Sequence, residues 1–471
     1  MLEDHGTWAA QEFGGAELGN IQRTRRLVAV AKAVAAAPAG HVTAVFRDGA
    51  SKEGAFRLVE NGRIDPTKIA QAAHESCAMR SAEFSYVFVP VDGSSLNIAD
   101  WQRTKGLGVV GSRRVGATGL QVMTAIGVGP DGVALGVAGQ AFWARKHKVK
   151  RKAGYRRGKD HRKLEDKESR YWGEVMRAVE ANYLKLAPAT RPWFQFDRGG
   201  DAWMVILEAV EHDQLVTVRA SKNRRLWTKK DEERRYLWPE VERSRPIAHT
   251  MLDVPAGPKR RARRAKMEIR AVSVTLDLHN SRGKRRRPVQ VWAVQTKEAH
   301  PPAGQKPIEW LLLTTHPVAS AHDAATVIEG YSKRWVIEEF HRVWKSGSCN
   351  VEDTQLRACD HIVRWATILA SVAMRILRLK NLARTTPDEP ATVELSQAEI
   401  DAVIVATKKT AFRRGDVPSI GEAVLMLANL GGYTGKSSGG PPGPTVITRG
   451  MESIRLLALY FASNESRPRK K

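Results

Sequence analysis

Three carboxylates in this chain have the neighbours that phosphoryl-transfer chemistry needs. Asp92 follows the strand-like run Phe84-Ser-Tyr-Val-Phe-Val-Pro-Val91 and precedes Gly93-Ser-Ser, which puts it near a strand end. Asp197 directly follows a second short apolar run, Trp193-Phe-Gln-Phe196, and opens Asp197-Arg-Gly-Gly-Asp201. Glu338 lies in a late segment with helical spacing. Two aspartates at strand ends and a glutamate on a helix can converge into a cluster of hard oxygen donors, which suits magnesium or manganese. Two such ions activate a water or hydroxyl and stabilise the leaving oxygen of an in-line displacement. Taken singly, an aspartate after a strand is more often a turn-former, so the weight rests on the combination.

The segment around Glu338 reads Tyr331-Ser-Lys-Arg-Trp-Val-Ile-Glu-Glu-Phe-His-Arg-Val-Trp-Lys345. On one continuous helix, Arg334, Glu338 and Lys345 share a face, being close to one and two turns apart, and Tyr331 lies three residues before Arg334 on that face. Glu338 would hold metal, while Arg334 and Lys345 would grip phosphate oxygens. Standing alone, the stripe would more often be a solvated, salt-bridged helix face.

The surrounding elements must bring these groups together. Residues 1–75 read as a helical domain, with helices over Trp8–Phe13 and Thr24–Ala36 and Asn20 as an N-cap. Arg23, Arg25 and Arg26 fall on the first turns of the second helix, where they could meet DNA phosphates. Residues 76–375 read as an α/β domain. Gln121–Val128 and Val133–Gln140 are joined at the turn Gly129-Pro-Asp-Gly132 as a hairpin. A helix over Asp166–Leu186, the strand before Asp197, a helix over Ala202–Val210 and a strand over Leu215–Arg219 follow. The pattern predicts a mixed-sheet core. Residues 220–316 read as a β-rich insertion, with strands at Ile269–Leu276, Val289–Gln295 and Glu309–Thr314. Basic runs lie at Arg145–Lys163, Lys259–Arg264 and Arg282–Arg287. Asp323–Lys345 is expected as one helix, and Ile362–Leu379 as a buried amphipathic one. Residues 376–471 read as a helical region, with helices at Leu395–Thr407, Ile420–Leu430 and Met451–Ala462 and a basic tail from Arg467.

Composition narrows the partner. The 471 residues carry 76 Lys and Arg against 50 Asp and Glu, a formal net charge of +26. A field of that sign attracts polyanions, with nucleic acid foremost. No stretch approaches an uninterrupted membrane span, and the N-terminus lacks the pattern of a signal peptide. Cys77, Cys349 and Cys359 form no CxxC pair, which argues against a zinc module or disulfide framework. A soluble cytoplasmic protein directed at DNA is expected.

The spacing Tyr331-x2-Arg334-x3-Glu338-x6-Lys345 resembles the Tyr-Arg-Glu-Lys signature of bacterial insertion-sequence transposases of the DDE class. The longer string Arg334-Trp-x-Ile-Glu-Glu-Phe-His-x-x-Trp-Lys345 extends the likeness to the hairpin-forming members of that family. Leu18-Gly-x4-Thr-Arg-Arg-Leu-Val and Lys52-Glu-Gly-Ala-x-Arg57 resemble the family's end-binding domain, and Ala428–Tyr433 its subunit-pairing region. The resemblance implies an RNase H-like core with a β insertion, and Asp92, Asp197 and Glu338 as ligands of two Mg2+ or Mn2+ ions. It implies cut-and-paste transposition by nicking, hairpin formation, hairpin opening and strand transfer. It implies that Trp310 and Trp335 serve a flipped base, that Arg219 and Lys222 contact the DNA backbone, and that a homodimer pairs two inverted-repeat ends before joining target DNA. The sequence departs from the family pattern at Gly199-Gly200, where Glu-Ala is common, and at Gly93, where a hydroxyl residue is common. A domesticated transposase that only binds DNA as a repressor, or a two-metal nuclease without strand transfer, are the competing readings.

Overall fold

The computed structural model describes residues 7–111, 116–145, 168–229, 231–254, 256, 261–279, 286–408, 410–436 and 440–465. Most of the basic runs expected at 145–163 and 282–287, with Lys259 and Arg260 of the third run, and the tail from 467, lie outside these residues.

The N-terminal region folds as α1 (Trp8–Phe13), α2 (Ile21–Ala36), α3 (Val42–Val45), α4 (Gly49–Val59) and α5 (Pro66–Ser81). Their starts are written locally. The Asn20 side chain accepts the Gln22 N–H, Asp48 accepts that of Ser51, and Asp65 accepts that of Thr67 beside a proline at the first turn. Each satisfies a backbone donor that the helix cannot.

A single ten-stranded sheet follows. Its first part comprises β1 (Tyr86–Asn97), β2 (Gly108–Val109), β3 (Thr118–Val128) and β4 (Ala134–Trp143), and then α6 (Arg170–Leu186), β5 (Arg191–Phe196), α7 (Trp203–Glu211) and β6 (Leu215–Arg219). The hairpin turn forms as expected, with Gly132 at φ 88° and the Gly132 N–H donating to the Gly129 carbonyl. β1 pairs antiparallel with β3 and parallel with β5, and β5 pairs parallel with β6. Asp92 is therefore not at the end of a strand. β1 runs on to Asn97, with Asp92 opposite Thr124. What ends at Val91 is the parallel pairing with β5.

The segment from 220 to 316 holds α8 (Leu237–Arg243), β7 (Ala248–Val254), β8 (Arg263–His279), β9 (Arg286–Glu298) and β10 (Glu309–Thr314). These strands do not form a separate layer. β10 pairs with β6, β9 with β10, β8 with β9 and β7 with β8, so the central sheet simply continues. α8 has little signature in the sequence, because Tyr236, Trp238 and Pro239 mask the short apolar stripe of Leu237 and Val241.

Side chains alternate across the sheet. Phe88, Trp193, Val294 and Leu312 face one cluster, shared with the N-terminal helices, α9 (Ala321–Lys333), α10 (Val336–Lys345) and α11 (Cys359–Thr385). Val89, Phe194, Val218 and Leu276 face the other, under α6, α7 and α8. A third cluster joins the end of α11 to α12 (Gln397–Ala406), α13 (Ile420–Leu430) and α14 (Pro444–Glu465). Among the described residues no helix is long and apolar enough to cross a membrane.

The helix expected over Asp323–Lys345 is two helices. Arg334 and Trp335 keep right-handed helical dihedrals, but the Arg334, Trp335, Ile337 and Glu338 N–H groups all donate to carbonyls three residues back. That local tightening ends α9 and starts α10.

Candidate active site

α10 is fixed before its acidic residue is aimed. Ile337, Phe340 and Trp344 recur at helical spacing and are fully buried. The Trp344 ring stacks on Phe340 and its Nε1–H donates to the Ala366 carbonyl of α11 at 3.0 Å. Glu339 forms an ion pair with the buried Lys380, also on α11, at 2.5 Å. These contacts set the rotation of the helix, and they turn Glu338, His341 and Lys345 toward β1.

Helix and strand then run side by side in matched steps. His341 Nδ1 lies 3.9 Å from Asp92 Oδ2. One turn later, Lys345 Nζ donates to Ser94 Oγ at 3.3 Å and pairs with Glu352 at 3.6 Å. Four helical residues and two strand residues each advance about 6 Å, so the two ladders stay in register. Glu338 is one turn before His341, on the Asp197 side.

The two aspartates meet through the sheet. Val91 is opposite Phe196 in the parallel pair, and both point into the α6–α7 core. Asp92 and Asp197 are the next residues of adjacent strands, so alternation turns both to the α9–α10 face. Burial, then the negative charges of Asp197 and Glu338, push the Asp92 carboxyl up to about 7; the Arg334 guanidinium and the Gly93 N–H work in the opposite direction. Three mutually repelling carboxylates of hard oxygen character, half-buried on one face, fit a divalent cation, which would relieve that repulsion. Each is otherwise engaged locally. Asp92 accepts the Gly93 N–H at 2.8 Å, Asp197 accepts the Gly199 N–H at 2.7 Å, and Glu338 accepts from Arg334 at 3.3 Å. Among the described residues no three ligating groups are drawn into a closed metal cage; the carboxylates stand at electrostatic range and need side-chain rotation to share an ion.

The remaining expected residues divide. Arg334, although outside both helices, keeps its contact with Glu338 and lies 5.9 Å over the Tyr331 ring. Tyr331 is buried and packs edge-on against Trp310 at 5.1 Å, so in this conformation it is a core residue and not a surface for DNA. Trp310, opposite Thr296 on β10, is half-buried on the site face. Trp335 is 64% exposed at the helix break. Arg219 ends β6 on that face and donates to the Glu309 carbonyl at 3.1 Å. Lys222 donates to the Asp201 carbonyl. In the N-terminal helices Arg25 and Arg26 are exposed, whereas Arg23 is half-buried and donates to the Leu18 carbonyl. The Arg26 guanidinium lies against Gly54, which packs the two sequence blocks of that domain together.

Two residues of the neighbourhood escaped the sequence reading. His341 is buried beside Asp92, with Nε2 lacking a hydrogen-bond partner. Burial, then the Lys345 and Arg334 charges, push its imidazole down to about 3, so it is neutral. Its position three residues after Glu338 was the available signal. Asp201 is buried at the root of the loop that follows Asp197, where it accepts from the Ser221 N–H and hydroxyl, the Lys222 N–H and the Arg224 guanidinium. It anchors the 197–224 loops.

With this geometry in place, comparison with known families is decisive about class. Residues 153–375 match the family model for the transposase DDE domain, and residues 5–64 match that for transposase DNA-binding. The protein is thus a metal-dependent enzyme that cleaves and transfers DNA. By family it belongs to the DDE transposases, with a DNA-binding region ahead of the catalytic one. The matched catalytic stretch contains Asp197 and Glu338 but not Asp92, which reaches them through the β1–β5 pairing.

Proposed function

We propose that this transposase works by a cut-and-paste mechanism with a hairpin intermediate, and that Asp92, Asp197 and Glu338 hold two divalent ions, magnesium or manganese. The observation that carries the catalytic assignment is the register Val91↔Phe196, which turns the following aspartates of two adjacent strands toward α10. Bound divalent ions supply activation of the attacking oxygen and charge neutralisation at the scissile phosphate. Arg334 exchanges its contact with Glu338 for a phosphate oxygen, and Lys345 holds a second one. Water attacks first, breaking a P–O3′ bond and freeing a 3′-hydroxyl. That hydroxyl attacks a phosphate of the opposite strand, closing a hairpin as the flanking DNA leaves with its 3′-hydroxyl; a second water hydrolyses the hairpin back to a 3′-hydroxyl and a 5′-phosphate, and the 3′-hydroxyl then attacks a target phosphate, displacing a target 3′-hydroxyl. Trp310, half-buried on the site face, and Trp335, exposed at the helix break, stack on a base flipped from the end and fill the place it leaves. The core is read as RNase H-like, in keeping with a sheet whose antiparallel β4-β3-β1 portion adjoins the parallel β5 and β6. A homodimer bound to two inverted-repeat ends is the active unit.

The test is cleavage by the purified full-length protein on DNA carrying its gene's native flanks. Magnesium-dependent release of fragments with hairpin ends is expected on a denaturing gel. Asp197→Asn is expected to lose roughly 10³-fold or more of the rate, the loss of several kcal/mol of transition-state stabilisation. Cleavage that leaves open ends only would remove the hairpin step, and equal activity of Asp197→Asn would remove the site assignment.

A further inference from the structure

Between β6 and α8 the chain forms a short two-stranded ribbon at the free edge of β8. Arg225 bridges Tyr236, and Leu226 bridges Leu276 of β8. The Leu226 N–H donates to the Arg235 carbonyl, the Leu237 N–H to the Arg224 carbonyl, and the Trp227 N–H to the Thr275 carbonyl. β7 covers β8 only up to Ile269, which leaves room for the ribbon beyond it.

Alternation along this ribbon is sharp. Leu226 and Leu237 turn inward and are buried with Leu276. The other face carries Arg225, Trp227, Arg234 and Tyr236, and Trp238 follows on the first turn of α8; the three aromatic rings are exposed. The ribbon's own apolar requirement is met by the inward leucines, so these rings are not needed to close the core. Arg286 lies 4.7 Å over the Trp227 ring and is held there by Asp277, the same carboxylate that Arg225 approaches at 3.6 Å. Two guanidinium groups thus share one buried carboxylate, and the patch stays cationic.

The patch also has a direction. Leu226 and Leu276 belong to the α6–α8 face, so Arg225 and Trp227 project from the opposite face, the one that carries Asp92 and Asp197. Counting strand positions across the sheet from β5, the ribbon's first strand is five spacings away, roughly 24 Å.

We propose that this ribbon is a second nucleic-acid site, which binds an unpaired DNA strand by stacking bases on Trp227, Tyr236 and Trp238 and phosphates on the arginines. Aromatic faces interleaved with guanidinium groups suit single strands, whose bases present open rings; a duplex hides those rings and needs only the cations. The proposal deepens the reading of the protein as a hairpin-forming transposase, in which strands separate near the cut. The site holds a displaced strand on the catalytic face, away from the metal carboxylates.

The experiment measures fluorescence anisotropy of a labelled 15-nucleotide oligothymidylate and of a labelled 15-base-pair duplex, with the full-length protein in chelator. No cleavage occurs there, so a wrong catalytic assignment does not affect the result. Trp227→Ala and Trp238→Ala are each expected to weaken oligothymidylate binding roughly ten-fold while duplex binding stays within two-fold. Trp238→Phe keeps a ring and is expected to retain most of the affinity, which separates stacking from misfolding. Unchanged single-strand affinity in both alanine variants, or an equal loss on single strand and duplex, would overturn the proposal.

Discussion

At the scale of single residues, the glycines after Asp197 are a structural requirement. Asp197 caps a 3-10 turn over Arg198–Gly200, with its carboxylate on the Gly199 N–H. A methyl group on Gly200 would meet Phe196 Cβ at 2.5 Å, and one on Gly199 would come within 2.9 Å of Asp197 Oδ1. The glycines at these two positions therefore suit a tightly packed loop. Gly200→Ala is expected to destabilise by about 1–3 kcal/mol through overpacking, seen as a lower Tm. Gly199→Ala is expected to keep Tm close to the parent and to reduce magnesium-dependent cleavage, because it displaces the carboxylate. If the two variants behave alike in both assays, this view of the loop fails. At Gly93 the nearest atom to an added Cβ is Met123 Cε at 3.5 Å, so a hydroxyl residue fits there and its absence has no packing cause.

At the scale of elements, α11 is the organiser. Arg364 is buried and donates to the carbonyls of Val59 and Ile64, and Trp365 donates to the Gly40 carbonyl, so one helix ties the N-terminal region to the catalytic sheet. Further along, Arg375 and Arg378 reach Glu394 and Glu399 at the start of the C-terminal helices. The three arginines that interrupt the apolar run of this helix in the sequence are its docking points. Arg364→Met removes two charge-assisted hydrogen bonds and strands two buried carbonyls, at an expected cost of about 2–4 kcal/mol. Hydrogen exchange should show residues 49–64 opening first, with the β1–β5 core still protected. Uniform loss of protection would mean that α11 holds no separate unit there.

At the scale of the whole molecule, net charge bears on DNA binding, and the exposed leucines of α14 bear on the proposed pairing of subunits. The +26 net charge predicts DNA binding that weakens steeply with salt. α14 buries Ile447, Met451 and Ile454 but leaves Leu456 71% and Leu459 50% exposed. If subunits pair through this face, Leu459→Asp is expected to leave Tm and binding to one end within two-fold of the parent, and to abolish paired-end complexes on a native gel. Paired complexes that survive the substitution would move the dimer contact elsewhere.

The periodic features of this protein were legible in its sequence. Asn20 as a cap, the Gly129–Gly132 hairpin, β6 at Leu215–Arg219 and α13 at Ile420–Leu430 follow from local hydrogen bonding and apolar alternation, which need no distant partner. The types of the three candidate carboxylates, two after apolar runs and one on a basic helix stripe, were legible as well. Their placement within electrostatic range of one another was not. It depends on Val91 pairing with Phe196, a hundred residues apart, and on Trp344 and Glu339 docking against α11, and neither leaves a local trace. For the same reason the break at Arg334–Trp335, the burial of Tyr331, and the joining of the β-rich insertion to the central sheet through β7–β10 were decided only by tertiary packing, which outweighed the local preference for a single long helix.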